Sequence, residues 1–370
     1  MNGSAKRNLL RSPAVLVAVA AFLLGVTGVL TIASGRYDSS VYPDTLLAKQ
    51  TLFLVSGMIV MFAAAAVPFR FYRKYAPVLG AAGVLLLLLL PLLGTRANGM
   101  RGWLRFGAFS LQPSELMKAP FLLVLAVILA KRGKSELRNF GLSMLWMMLW
   151  MIPVLLQPDF GTAVVYFATF VLLYFAVGGK LAFLAVPLSV GAAAAVGFVM
   201  RHPYAWRRLC GFVDPHGDPL GSGWHSLQFE IAIARGHLFG VKLGGAIRSN
   251  NFLPLPYNDS SYATLSETLG FTGGVLVCGA LVLLAASLWR LSRRPQNPDG
   301  RIFVTGVMLL LVLQGMIHIS VNLCLLPTTG LTMPFVSYGG SSLIGCFLML
   351  GMALSAGNER ENAPEKDKEK

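Results

Sequence analysis

Apolar runs of about 20 residues recur along almost the whole chain, and no other feature limits its fold as much. They centre near residues 23, 59, 85, 123, 149, 169, 190, 277, 312 and 346. A helix needs about 20 apolar residues to cross the hydrocarbon core of a bilayer. Each backbone N–H and C=O there must be satisfied within the segment, so runs of this kind are helices. The pattern predicts an all-α fold, a polytopic transmembrane helical bundle of about ten spans. Only 13% of the 370 residues are charged, about half the share of a soluble domain. The reading is one membrane domain over residues 1–358 and a charged tail over 359–370, expected to be a solvated, disordered end. The first run follows Lys6, Arg7 and Arg11, as a signal peptide would. It is longer than the usual h-region of about 7–15 residues and more spans follow, so it reads as the first span.

Orientation follows from the basic residues. With the N-terminus inside, 19 of the 31 Lys and Arg fall on inner segments, and nine of the 16 acids fall outside. That is the positive-inside bias, and it assigns the net charge of +15 to membrane orientation rather than to nucleic acid. An even number of spans puts both termini in the cytoplasm. The longest connection, about residues 201–261 between spans seven and eight, then lies outside the cell. It far exceeds a usual helix–helix connection. Its aromatic residues, among them Trp206, Phe212, Trp224 and Phe229, argue that it is folded, and Ser226–His237 is expected to form a helix along the membrane surface. Cys210, Cys278, Cys324 and Cys346 show no CxxC spacing and read as packing residues.

Four polar clusters fall on the outer side. The first runs from Arg101-Gly-Trp103-Leu-Arg105-Phe-Gly107 to Gln112-Pro113-Ser114-Glu115-Leu-Met-Lys118. Glu115 and Lys118 are three apart and share a helix face. The pair reads either as a snorkelling Lys with its counter-ion or as a site. The second is Gln157-Pro158-Asp159-Phe160-Gly161-Thr162, where Asp159 is a helix cap or a site residue. The third is the long loop, with Arg207, Arg208, Arg235, Lys242 and Arg248. It ends in Leu253-Pro-Leu-Pro-Tyr257-Asn258-Asp259-Ser260, with Glu267 two turns further on. A carboxylate meeting basic residues at the mouth of a bundle is a proton-acceptor candidate. The fourth is Pro327-Thr-Thr-Gly330-Leu-Thr332-Met-Pro334-Phe-Val-Ser337-Tyr-Gly339-Gly340-Ser341-Ser342. Such irregular backbone at membrane depth must line a cavity or be buried in protein. His318 stands alone in mid-span and reads as a satisfied packing residue. Outer Arg and Lys run against the positive-inside bias and suit an anionic phosphate ligand or lipid headgroups.

Together, in this order, the clusters resemble the SEDS family (shape, elongation, division and sporulation), on its FtsW and SpoVE branch more than on that of RodA. The likeness spans nearly the whole chain, and the Pro327–Ser342 motif is its most specific part. Around the loop aspartate the chain departs from the family's L-P-E-x-H-T-D-F: Leu255, Tyr257, Asn258 and Ser260 stand where Glu, His, Thr and Phe are usual, and His225 stands for a Gln.

The resemblance implies a peptidoglycan glycosyltransferase of the bacterial cytoplasmic membrane. It would polymerise lipid II at the outer face by inverting transfer, with release of undecaprenyl diphosphate. Asp259 would be the catalytic base. Arg101, Arg105, Glu115, Lys118, Asp159, Arg207, Arg208, Glu267, Ser337 and Ser341 would contact substrate. A divalent cation, magnesium or manganese, is compatible with this chemistry, although no dedicated cage of ligands is visible. The implied partners are a class B penicillin-binding protein, other division or elongation proteins, and membrane lipids. Two other readings stay open: a flippase for lipid-linked precursors, and a scaffold that recruits a transpeptidase.

Overall fold

The structure is a computed structural model and describes residues 12–34, 45–97, 100–107, 109–131, 136–241, 245–246, 251–253 and 255–359. Lys6, Arg7, Arg11, Arg132, Lys134, Lys242, Arg248 and the tail from Arg360 lie outside these. Eight helices of the described residues are long and apolar enough to cross a membrane. They are α1 (Pro13–Ser34), α2 (Thr45–Ala66), α3 (Phe69–Leu93), α6 (Glu136–Leu156), α8 (Leu181–Arg201), α11 (Ser261–Ser292), α12 (Pro298–Asn322) and α13 (Gly340–Asn358). The two remaining expected spans are shorter. One is α4 (Pro113–Leu116) followed by α5 (Lys118–Leu129), and the other is the 17-residue α7 (Phe160–Ala176). α9 (Pro203–Val213) and α10 (Trp224–Gly236) lie in the long loop. The helical membrane architecture is as the apolar runs predict.

Beyond the helices there is a small antiparallel sheet, which the apolar pattern did not indicate. It comprises β1 (Thr95–Ala97), β2 (Met100–Phe106) and β3 (Phe109–Leu111), in the order β1-β2-β3. Leu104 pairs with Leu111 and Arg105 with Ser110. This sheet leads the chain into α4.

The short α5 is deeply buried. Phe121, Leu122, Leu123, Leu125 and Ala126 of α5 are inaccessible, because neighbours cover it on all sides. The Phe121 ring meets Tyr166 edge-on at 4.7 Å between centroids, and Trp146 Nε1 donates to Phe121 O at 3.1 Å. α13 runs along α2, and α11 runs along α1. Pockets of this kind fix side chains tightly, because interiors are packed as densely as organic crystals.

α11 is really two helices. Gly270 has φ +67° and ψ −161°, a conformation open to glycine and costly for other residues. The break frees backbone groups that the end of α10 takes up. Phe271 N donates to His237 O at 2.9 Å, Thr272 N to Leu238 O at 3.1 Å, and Val241 N to Glu267 O at 3.0 Å. The segment after the break is 22 residues, about 33 Å at 1.5 Å per residue, enough for the bilayer core. The segment before it is docked under the long loop.

Candidate functional site

Five helical elements of the described residues begin at one end of the bundle: α2, α4–α5, α7, α11 and α13. α12 ends there, and the irregular segment from Leu323 to Gly339 folds back among them. Leu331, Met333, Phe335, Val336 and Ser337 in that segment are buried, so its irregular backbone is enclosed by protein, as a bilayer requires.

Asp259 sits immediately before α11, in a turn that the fold-back segment holds. Tyr338 N donates to Tyr257 O at 2.7 Å, and the rings of Tyr257 and Tyr338 meet edge-on at 5.7 Å. Arg208, His225, Phe229, Asp259, His318, Val321 and the stretch 328–331 line a cavity of about 20 Å³, room for about one water. Burial pushes the Asp259 carboxyl up to about 6, against the pull of the Arg208 guanidinium. Arg208 Nη1 donates to Thr328 O at 2.9 Å, which ties α9 to the fold-back segment. Burial, and Arg208 after it, hold the His225 ring below the ordinary histidine range. A carboxylate that binds its proton near neutral pH, beside a fixed cation, suits a general base.

A second group lies at the start of α5. Lys118 Nζ is 2.6 Å from Glu115 Oε1 and 2.9 Å from Gln314 Oε1, and Lys118 is 1% exposed. A snorkelling lysine would hold its ammonium in water, so this pair is instead buried. Glu115 Oε2 has no hydrogen-bond partner among the described residues. Gln314 Nε2 donates to Thr332 O at 2.8 Å, and Tyr166 OH donates to Ser114 O at 2.8 Å. Asp159 caps α7 by accepting from Thr162 N at 3.1 Å. It also accepts from Gln112 Nε2 at 3.1 Å, and Gln112 N donates to Ser341 Oγ at 2.8 Å. Asp159 is thus a helix cap that also reaches the second group through Gln112.

Of the residues singled out in the sequence, Asp259 and Arg208 share the cavity. Glu115, Lys118, Asp159 and Ser341 share the second group, and Ser337 is bonded into the turn before Asp259. The others sit apart. Arg101 is exposed and donates to Pro91 O at 3.2 Å. Arg105 on β2 and Arg207 on α9 are exposed. Glu267 is fully buried and meets Arg235 Nε at 3.3 Å, a contact that holds α10 to α11.

Three residues of α12 change the reading of its mid-span. His318 is not alone: Gln314, His318 and Asn322 stand four apart and face the site as one stripe. Asn322 Nδ2 donates to Asp259 O and to His318 O, both at 3.0 Å, and its Oδ1 accepts from Ala263 N at 3.0 Å. His318 lies between Leu331 O, at 2.7 Å from Nδ1, and Ser261 Oγ, at 3.0 Å from Nε2. Among the described residues no three His, Cys, Asp or Glu side chains gather where they could hold a metal ion.

Known proteins resemble this chain over most of its length. The profile of a family described as cell cycle protein, covering FtsW, RodA and SpoVE, matches residues 14–362. The probable peptidoglycan glycosyltransferase FtsW of Coxiella burnetii is 36% identical over 329 residues, 87% of this chain and 88% of that protein. Stage V sporulation protein E of Bacillus subtilis is 34% identical over 359 residues, 93% and 96% of the two chains. The rod shape determining protein RodA of Thermus thermophilus superposes with a TM-score of 0.71 at 27% identity, over 95% of this chain and 97% of that one. A chain from a structure described as "Structural coordination of polymerization and crosslinking by a peptidoglycan synthase complex" gives a TM-score of 0.77 at 29% identity, over 95% and 98%. The chain belongs to the FtsW/RodA/SpoVE family of multi-pass inner-membrane proteins.

Proposed function

We propose that this protein is a peptidoglycan glycosyltransferase that polymerises lipid II at the outer face of the inner membrane, in cell division. The observation that carries the reading is Asp259, a carboxyl shifted to about 6, in one cavity with Arg208 at the end of a lipid-embedded bundle. The acceptor sugar hydroxyl attacks the anomeric carbon of the donor and its proton passes to the Asp259 carboxylate. The bond from that carbon to the lipid diphosphate breaks, and the centre inverts. General-base assistance of this kind contributes about 10²–10⁴ in rate. Arg208, with Lys118 deeper in, balances the charge of the leaving diphosphate, while Arg101, Arg105 and Arg207 attract the headgroup from the rim.

A divalent cation enters this scheme as a counter-ion carried by the diphosphate, because the described residues offer no cluster of three ligands. The similarity to a chain described as part of a peptidoglycan synthase complex supports a class B penicillin-binding protein as partner, supplying the crosslinking chemistry.

The gathering of Asp259, Lys118, Glu115 and Asp159 at one end of the bundle favours surface chemistry over a flippase, which needs polar groups along a path through the bilayer. The test is the Asp259→Asn variant of the full-length protein, purified and given lipid II. Loss of glycan polymer with retained lipid II binding is expected. Polymer at the wild-type rate would remove the base role from Asp259, and absence of polymer from the wild-type protein itself would leave the scaffold reading.

A further inference from the structure

His318 is 1% exposed, and both of its ring nitrogens are engaged. The Leu331 carbonyl can only accept, so Nδ1 carries a proton and donates to it at 2.7 Å. From Nε2 the contacts run on to Ser261 Oγ at 3.0 Å, from there to Ser337 Oγ at 2.8 Å, and from Ser337 Oγ to Asn258 O at 2.8 Å. Met333 N also donates into Ser337 Oγ at 2.8 Å.

Counting protons shows what the ring does. Four contacts lead from the Leu331 carbonyl to the Asn258 carbonyl, while a neutral imidazole and two hydroxyls bring three protons. With Nδ1–H committed, Nε2 accepts the Ser261 proton. Ser337 then has one proton and two acceptors in reach, Ser261 Oγ and Asn258 O. Shared between the two as a three-centre bond, that proton keeps the link to Ser261 and grips the carbonyl just before Asp259. Asn322 grips the carbonyl just after it, at Asp259 O. Both grips lead to α12, at positions 318 and 322, one turn apart. Packing alone requires none of this, since an apolar side chain fills the same space without the cost of burying polar atoms.

We propose that His318 is a positioning residue for Asp259, acting through Ser261 and Ser337 on the Asn258 carbonyl. The inference rests on the reading of Asp259 as the general base. It makes His318 a neutral donor–acceptor rather than a titrating group; Asp259, Arg208 and His225 are the ionisable groups facing it across the cavity. A misplaced base costs about 10–100-fold in rate.

The experiment uses full-length protein and lipid II polymerisation, with kcat and KM separated. His318→Ala and Ser261→Ala each lower kcat about 10–100-fold with little change in KM. The double variant falls no further than either single one, because both break one chain. His318→Gln, which keeps an acceptor for Ser261 and a donor for Leu331, recovers most of the rate, and its acid limb stays where the wild type has it. Elution profile and apparent melting temperature select the variants that fold. If His318→Ala does not fold, Ser261→Ala and Ser337→Ala carry the same expectation. Wild-type kcat in the single variants, a loss seen only in KM, or additive losses in the double variant would overturn the proposal. Polymerisation by Asp259→Asn at the wild-type rate would instead overturn the base role, and this inference with it.

Discussion

A carboxylate in open water is half-protonated near pH 4 and makes a weak base at neutral pH. Asp259 escapes that limit because protein surrounds it, with its proton affinity moved to about 6. Only the charged form can accept the hydroxyl proton, so kcat/KM is expected to rise with pH and level off above about 6; a pH profile with lipid II checks this. The same shift has a stability cost. A folded-state value raised above the unfolded one means that stability from this group is present below the unfolded value and lost as pH rises through about 6. Asp259→Asn is therefore expected to melt higher than wild type at pH 7.5, and to lose that advantage near pH 4. The residue order alone marked Asp259, Lys118 and Asp159, since charges are rare at membrane depth and need a use. Gln314 and Asn322 escaped notice because uncharged amides in an apolar run attract little attention. With His318 they repeat every four residues, the period of a helix face, and that spacing was open to view.

Among the elements, the helix expected over 226–237 is α10, Trp224–Gly236, and it buries Ser226, Gln228, Phe229 and Ala232. The small sheet was not legible, since three strands of three to seven residues between glycines leave no long pattern. The break in α11 was hidden for another reason. Gly270 shares its apolar run with Gly273 and Gly274, and only the loop that docks against it shows which of the three breaks the helix. A Cβ at Gly270 would lie 2.5 Å from Gly240 N and 2.6 Å from Leu238 O. Gly270→Ala therefore adds a backbone clash to an unfavourable φ. It is expected to destabilise the protein by about 1–3 kcal/mol and to loosen the long loop, seen as faster amide exchange in residues 235–241.

For the molecule as a whole, contacts sort the charged residues into two ends. Opposite the site, Arg73 pairs with Asp299 at 3.5 Å and Lys180 with Glu136 at 2.9 Å, and Arg70 N donates to Glu359 at 3.1 Å. These residues belong to the set that the basic bias assigned to the cytoplasm. Cys210 on α9 is exposed, whereas Cys346 is buried and Cys278 and Cys324 are partly covered. In intact spheroplasts a membrane-impermeant maleimide is expected to label Cys210, and Cys210→Ser to abolish the signal; labelling only after lysis would reverse the orientation. The convergence of helix starts at the site carries one further electrostatic consequence. A helix N-terminus bears about half a positive charge from its aligned peptide dipoles, and such ends bind phosphate without any side-chain cation. The starts of α2, α4–α5, α7, α11 and α13 lie at this end, and alternation brings the ends of α1, α3, α6, α8 and α12 to it as well. Over the whole face starts and ends balance, so the dipoles favour a diphosphate only where it rests against a start, in a low-dielectric surrounding that salt screens poorly; the backbone then selects the position of the anion, and replacing any one arginine should weaken its hold without moving it.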